Sequence, residues 1–323
     1  MVNFLQRLLK RSGTPKYLKQ DSIWLSDLDA QPLPELPLEM VVEIFQYLQF
    51  DLPTLLNLRC VSKDWSLKVH RFVLHFCNVD PLGEFRVHQT PIDPHKMRIL
   101  LFSLTPLTTT LDISGLSITD EVQGLAHLSY LHNLTRLVFT SQKDARSLKH
   151  VARARSLKSI DLSMSKSLSD GKYLKKLAKL PNLEELTLLC CSSLNDTGLK
   201  SIAKITQLKK LTMSHCKFTE KGLAALSSLV HLKHLGISFT GNLSSEAWEC
   251  LSALTDLESL SLNCCGIDDN ALQYIAGLTN LTSLQVSTNR ISSEGLASLS
   301  GLTNLKTLSL DGNRLVSHKY SYK

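Results

Sequence analysis

Leu257-Glu-Ser-Leu260-Ser-Leu262-Asn-Cys-Cys265 is followed by Leu281-Thr-Ser-Leu284-Gln-Val286-Ser-Thr-Asn289 and by Leu305-Lys-Thr-Leu308-Ser-Leu310-Asp-Gly-Asn313. The three stretches share one frame, apolar at the first, fourth and sixth places, and their starts lie 24 residues apart. Upstream the frame returns at Leu232, Leu208, Leu183, Leu157 and Leu134, with a weaker copy that begins at Thr108. Nine copies, with starts 23 to 26 residues apart, are an internal repeat, and the repeat sets the architecture before any local motif does.

Each unit reads as a strand, a turn, a helix and a return. Leu260 and Leu262 alternate with Ser259, Ser261 and Asn263, the period of a strand with one apolar side. Beyond the strand, apolar residues recur five apart: Leu194 to Leu199, Phe218 to Leu223, Leu243 to Trp248, Ile267 to Leu272 and Ile291 to Leu296. Between them stand helix starts, Thr219-Glu220, Ser244-Ser245-Glu246, Asp268-Asp269 and Ser292-Ser293-Glu294. There a small oxygen-bearing side chain can cap orphan N–H groups and an acid complements the helix dipole. One unit cannot bury its own apolar side, so stacking supplies the core.

The place eight residues after each leading leucine holds Cys191, Cys216, Thr240, Cys265, Asn289 and Asn313. It corresponds to the Asn/Cys slot whose side chain satisfies backbone polar groups in the turn. The chain thus resembles the leucine-rich-repeat superfamily, in particular its cysteine-containing type, over about two thirds of its length. The resemblance implies an α/β solenoid of about nine repeats, parallel strands inside and helices outside. Cys191, Cys216 and Cys265 then read as structural. The pairs Cys190-Cys191 and Cys264-Cys265 lack metal-ligand spacing, and no cofactor or metal is expected. Eight cysteines without a secretory signal suit a reducing compartment, cytoplasmic or nuclear.

A different, unrepeated stretch precedes the array: Leu36-Pro37-Leu38-Glu39, Ile44-Phe45-Gln46-Tyr47-Leu48, then Leu55, Leu56 and Leu58, ending Val61-Ser62-Lys63-Asp64-Trp65. Helical spacing of its apolar residues predicts three short helices, a bundle barely able to bury a core and expected to hide surface against a partner. The order closely resembles an F-box. That resemblance implies a substrate-recognition subunit of a Skp–cullin–F-box ubiquitin ligase, itself non-catalytic. Leu36, Pro37, Ile44, Phe45, Leu48, Val61, Ser62 and Lys63 would lie at or beside the Skp-type adaptor, and the repeats would capture the protein to be ubiquitinated. Three alternatives stay open: a helical cap on the solenoid, a scaffold without ubiquitination, and a pathogen or symbiont effector that borrows the host ligase in the host cytosol. The expected organisation is a basic tail over 1–32, an F-box over 33–75, an irregular joint and leading cap over 76–105, and repeats over 106–323.

Of the net charge of +7, five units sit in the first twenty residues, leaving +2 on the rest. Nucleic acid is therefore not an expected partner, and membrane contact is expected only through the tail. Signatures of serine hydrolases, zinc proteases and P-loops are absent, and no cysteine is followed two places later by Asp, as in another class of leucine-rich-repeat ubiquitin ligase.

The inner surface of such an array is its usual contact face. Most units pave it with serine: Ser159, Ser163, Ser214, Ser238, Ser261, Ser287 and Ser309. Two adjacent units differ, placing Lys209, Lys210 and His215 beside Lys233, His234 and Phe239, flanked by Glu184, Glu185 and Glu258. This basic patch with an aromatic edge is the expected substrate site and suits an acidic or phosphorylated segment. A solvated charged face is the plainer reading.

Overall fold

The computed structural model describes residues 108–315, apart from 115–124, 126–127, 130, 143–144, 170 and 242, and the backbone of two strands upstream. Eleven strands form one sheet in chain order: β1 (Asn78–Val79), β2 (Glu84–Arg86), β3 (Thr110–Asp112), β4 (Arg136–Val138), β5 (Ser159–Asp161), β6 (Glu185–Leu189), β7 (Lys210–Ser214), β8 (His234–Ser238), β9 (Ser259–Ser261), β10 (Ser283–Gln285) and β11 (Thr307–Ser309). Strands β3 to β11 are the nine expected copies. Their parallel register sets equivalent repeat positions side by side, as in Leu211↔Leu235 and Leu260↔Leu284.

The sheet starts earlier than the repeat does. β1 pairs antiparallel with β2, and β2 continues the parallel ladder through Phe85↔Leu111. Part of the stretch expected to be an irregular joint is therefore ordered strand, which covers the leading edge of β3 with backbone partners.

Along the strands the central leucine is buried and its neighbours face outward, the pattern of a sheet apolar on one side. Leu186, Leu211, Leu260 and Leu284 are wholly buried. At the far end Leu308, their equivalent in β11, is 42% exposed, because no further strand covers it among the described residues.

The outer side departs from the expected row of helices. It carries α1 (Leu148–Val151), α2 (Leu174–Leu177), α3 (Asp196–Ile202), α4 (Glu220–Leu223) and α5 (Asp269–Ile275). The segments Ala224–Ser228, Ser245–Ala253 and Gly295–Gly301 are 3-10 instead. A second period underlies the α-helical and the 3-10 units alike. Buried apolar residues run three apart into strands β4 to β10, as in Trp248, Leu251, Leu254 and Leu257 or Leu223, Leu226, Leu229 and Leu232. At three residues per turn such positions eclipse, and the N–H of each bonds the carbonyl three back: Leu254 to Leu251, Leu257 to Leu254, Leu229 to Leu226, Leu232 to Leu229. In α3 and α5 the same stripe stays buried through Leu199 and Ile202 and through Leu272 and Ile275, so the spacing accommodates either kind of turn.

Caps stitch neighbouring repeats together. Thr219 and Asp268 cap α4 and α5 as expected, and Asn195 caps α3. The first-turn acids reach further: Asp196 accepts from the Thr219 N–H at 2.6 Å and its hydroxyl at 2.7 Å, and Asp269 does the same for Ser292 at 2.8 and 2.7 Å. Glycine lets the next repeat approach these acids. A Cβ on Gly222 would stand 2.8 Å from the Asp196 Cα and closer still to its carboxylate.

A concave face with two adjacent columns

The inner strand positions end in a sharp turn, and two successive residues of that turn form columns running up the array. The second residue occupies the Asn/Cys slot. Asn289 donates to the carbonyls of Leu262 and Val286, each at 2.8 Å, and accepts from the N–H groups of Cys265 and Ile267. Cysteine fills the same slot with fewer bonds: the Cys265 Sγ lies 3.2 Å from the Ile237 carbonyl, and the Cys191 Sγ 3.4 Å from that of Leu162. Burial pushes the thiols of Cys191 and Cys265 up to about 11 and that of Cys216 up to about 12, so they stay protonated at neutral pH. Among the described residues no cluster of His, Cys, Asp and Glu suits a metal ion.

The first residue of the turn makes the other column. Ser141, Met164, Cys190, His215, Phe239, Cys264 and Thr288 all have φ between 50° and 61°, the left-handed region that L-residues avoid. Each N–H bonds a carbonyl of the following repeat, for example Met164 to Leu189, His215 to Ser238 and Phe239 to Asn263. The repeat thus imposes the conformation and the ladder bond offsets its cost. Because every unit shares it, the strain itself marks no site. What marks one is what the column carries: Met164 and Phe239 are 54% and 49% exposed, and Leu189, whose carbonyl accepts from the Met164 N–H, is 39% exposed.

His215 and Phe239 come together as expected, their rings stacked with centroids 4.3 Å apart at 10°. The basic part of the patch is weaker than expected. Lys209 pairs with Glu184 at 2.8 Å and Lys233 with Glu258 at 2.6 Å, so the flanking acids neutralise two of the cations. The pairing raises the Lys233 pKa and lowers that of Glu258. Lys210, whose register partner on β8 is His234, keeps no ion pair among the described residues and is the cation left to a ligand. Ser163 departs from the expected serine paving, being buried: its hydroxyl donates to Asp161 at 2.6 Å and accepts from the Leu189 N–H at 3.0 Å. Sequence reasoning missed Met164, Leu189 and Cys190; reading the place before the Asn/Cys slot down all copies would have found two of them.

The eight residues assigned to the adaptor, Leu36, Pro37, Ile44, Phe45, Leu48, Val61, Ser62 and Lys63, lie outside the described residues, as do the basic tail and the three expected helices.

The Leucine rich repeat family matches residues 255–315. Among solved structures, an internalin (inlF) from Listeria monocytogenes is similar at 21% identity and a TM-score of 0.51, over 72% of this chain and 67% of that one. Internalin C2 of the same organism is similar at 19% identity and 0.51, over 75% of this chain and 92% of the other. No curated protein matches in a sequence search. At these identities the likeness establishes the fold alone. Residues 255–315 are similar to the leucine-rich-repeat family, and the array as a whole has the fold of a leucine-rich-repeat solenoid.

Proposed function

We propose that this chain is a non-catalytic recognition subunit. Its concave face captures a partner protein, and its N-terminal segment docks it to a Skp-type adaptor and so to a cullin–RING ubiquitin ligase. The observation that carries the recognition role is the His215–Phe239 stack, an exposed aromatic pair on an inner face otherwise rich in serine and threonine. Stacked aromatics on a rigid sheet lose little entropy on binding and make effective anchors. Lys210, at the opposite end of β7 from His215, favours a segment that carries an apolar anchor and, farther along the strand, an acidic residue. Support for the adaptor-binding half is the order of Leu36-Pro37, Ile44-Phe45, Leu48 and Val61-Ser62-Lys63 ahead of a repeat array.

The two halves are tested separately. Leu36 and Pro37, or Ile44 and Phe45, changed to Ala should abolish co-purification of the adaptor, since buried apolar anchors cost about 2 kcal/mol or more each. Adaptor binding that survives both double changes refutes the docking half. Proximity labelling in cells, comparing wild type with a Phe239→Asp, Lys210→Glu form, should lose a defined set of partners while keeping the adaptor. Identical partner sets would remove the concave face from the assignment.

A further inference from the structure

The charge of the array is concentrated. Residues 145–179 carry ten Lys or Arg and two Asp, a net +8 against +7 for the whole chain. Lys149 on α1 and Lys175 on α2 point out of the convex side, while Arg153, Arg155, Lys158 and Lys179 stand exposed in the returns that lead into β5 and β6. The returns of three successive repeats meet at the N-terminal edge of β4, β5 and β6, the opposite edge from the left-handed column. There Ser129, His132, Arg153, Arg155, Ser156 and Asn182 line an open cleft of about 430 Å³.

Three features separate this cleft from a solvated charged face. Among the described residues no carboxylate lines it, and neither arginine has an ion-pair partner. On the concave face, by contrast, Lys209 and Lys233 each hold a glutamate, and farther along this same edge His231 stands 3.5 Å from Asp256. The walls are also fixed: the Asn182 amide donates to the Arg155 carbonyl at 3.2 Å, and the Ser156 hydroxyl donates to the Leu131 carbonyl at 3.1 Å. These bonds tie each return to the one before it, so the recess exists before any ligand arrives.

We propose that this cleft is a binding site for a phosphate monoester, the phosphoserine or phosphothreonine side chain of a partner protein. Such a group presents three terminal oxygens and close to two negative charges at neutral pH. Two guanidinium forks, the His132 ring N–H and the second N–H of Asn182 supply donors to all three oxygens, where a carboxylate would leave donors unused. Lys158 and Lys179, exposed in the same returns, add positive charge along this edge that Glu184 just before β6 offsets only in part. A recess between loops favours one doubly charged group over the singly charged diesters of a nucleic acid or a flat lipid surface. The site is separate from the His215–Phe239 anchor and would give a second, modification-dependent contact.

The test titrates N-acetyl-phosphoserine amide into the full chain, with N-acetylserine amide as control, followed by 31P and 1H NMR. Saturable binding of the phosphorylated probe alone is expected. Arg153→Gln and Arg155→Gln should each weaken it about tenfold, the loss expected for a charge-assisted hydrogen bond. The concave Lys210→Glu form should bind as wild type does. Both arginines are exposed, and unchanged circular dichroism would verify that the variants fold. Absence of saturation, or equal binding by the Arg153→Gln, Arg155→Gln double form, overturns the proposal. Co-sedimentation with phosphatidylserine vesicles that depends on these arginines, without saturable phosphoserine binding, overturns it too and reassigns the surface to membranes.

Discussion

Cys190 and Cys191 are chain neighbours in adjacent columns, and the fold treats them oppositely. Cys191 is wholly buried against the Leu162 carbonyl, whereas Cys190 is exposed in the left-handed column. The slot column is set by backbone groups that need partners, so its residues belong to the small set able to provide them. The neighbouring column is set only in its backbone; its side chains, Ser, Met, Cys, His, Phe, Cys and Thr, follow no chemical rule. Architecture therefore resides in one column, and whatever distinguishes this array from another resides in the next.

Thiol chemistry gives the largest contrast between them. With its pKa pushed from 9.0 to about 11, Cys191 has its thiolate fraction cut about a hundredfold, and burial blocks access besides. Iodoacetamide on the folded chain should modify the exposed Cys190 while leaving the buried Cys191 essentially untouched, read by fragment-ion mass spectrometry. Comparable rates would mean that the slot is open. Neither chelator nor mild reductant should change the melting temperature, and stoichiometric zinc would overturn the structural assignment of the slot cysteines.

Stability should separate the columns next. Asn289→Ala leaves two buried carbonyls and two buried N–H groups short of partners and should cost about 3 kcal/mol in denaturant unfolding. Thr288→Ala, one residue earlier and exposed, should cost about 0.5 kcal/mol or less. Equal losses would erase the distinction.

Legibility in the sequence followed the same division. Nine strands and the slot were readable because a buried leucine or a ladder asparagine admits few substitutes. The hairpin of β1 and β2 was not, since its strands carry no copy of the frame and are recognised only by pairing with β3. The 3-10 segments were not legible either, because apolar residues three apart run through the α-helical units as well. At the patch, register placed His215 beside Phe239. It could not show that Lys209 and Lys233 spend their charge on Glu184 and Glu258, because ion pairing depends on side-chain reach rather than position. The basic edge cleft was hidden by summing charge over the whole array, where acids elsewhere cancel it.

The acids that link repeats add a pH test. Asp196 is partly buried, which works against ionisation, but N–H and hydroxyl bonds from Thr219 outweigh this and hold its pKa below 3.8. Bonds from Ser244 hold Glu220 below its ordinary value as well. A carboxyl depressed in the folded state contributes stability that is complete above its unfolded pKa and is lost as pH falls through the folded one. Melting temperature should therefore be level near neutrality and fall below about pH 4. Asp196→Asn should lower the neutral plateau slightly and flatten the acid limb. A limb of unchanged slope would place the acid sensitivity in other groups.

A change of little expected consequence for stability is the sharpest for function. Phe239 sits at φ 57°, where a bulky side chain is strained and glycine is not. Phe239→Gly relieves about 1 kcal/mol of that strain. It also removes the stack on His215, worth about 0.5–1.5 kcal/mol, and releases backbone freedom in the unfolded chain. These terms oppose one another, so the unfolding midpoint should move by less than about 1 kcal/mol in either direction. The same change deletes the exposed aromatic anchor and should abolish partner capture at the concave face, while phosphoserine binding at the arginine cleft stays intact. A variant as stable as wild type that no longer captures partner would show that Phe239 is retained for contact at a position where the fold alone would favour glycine. A variant that still captures the same partner would move recognition to another surface and leave the column as scaffold throughout.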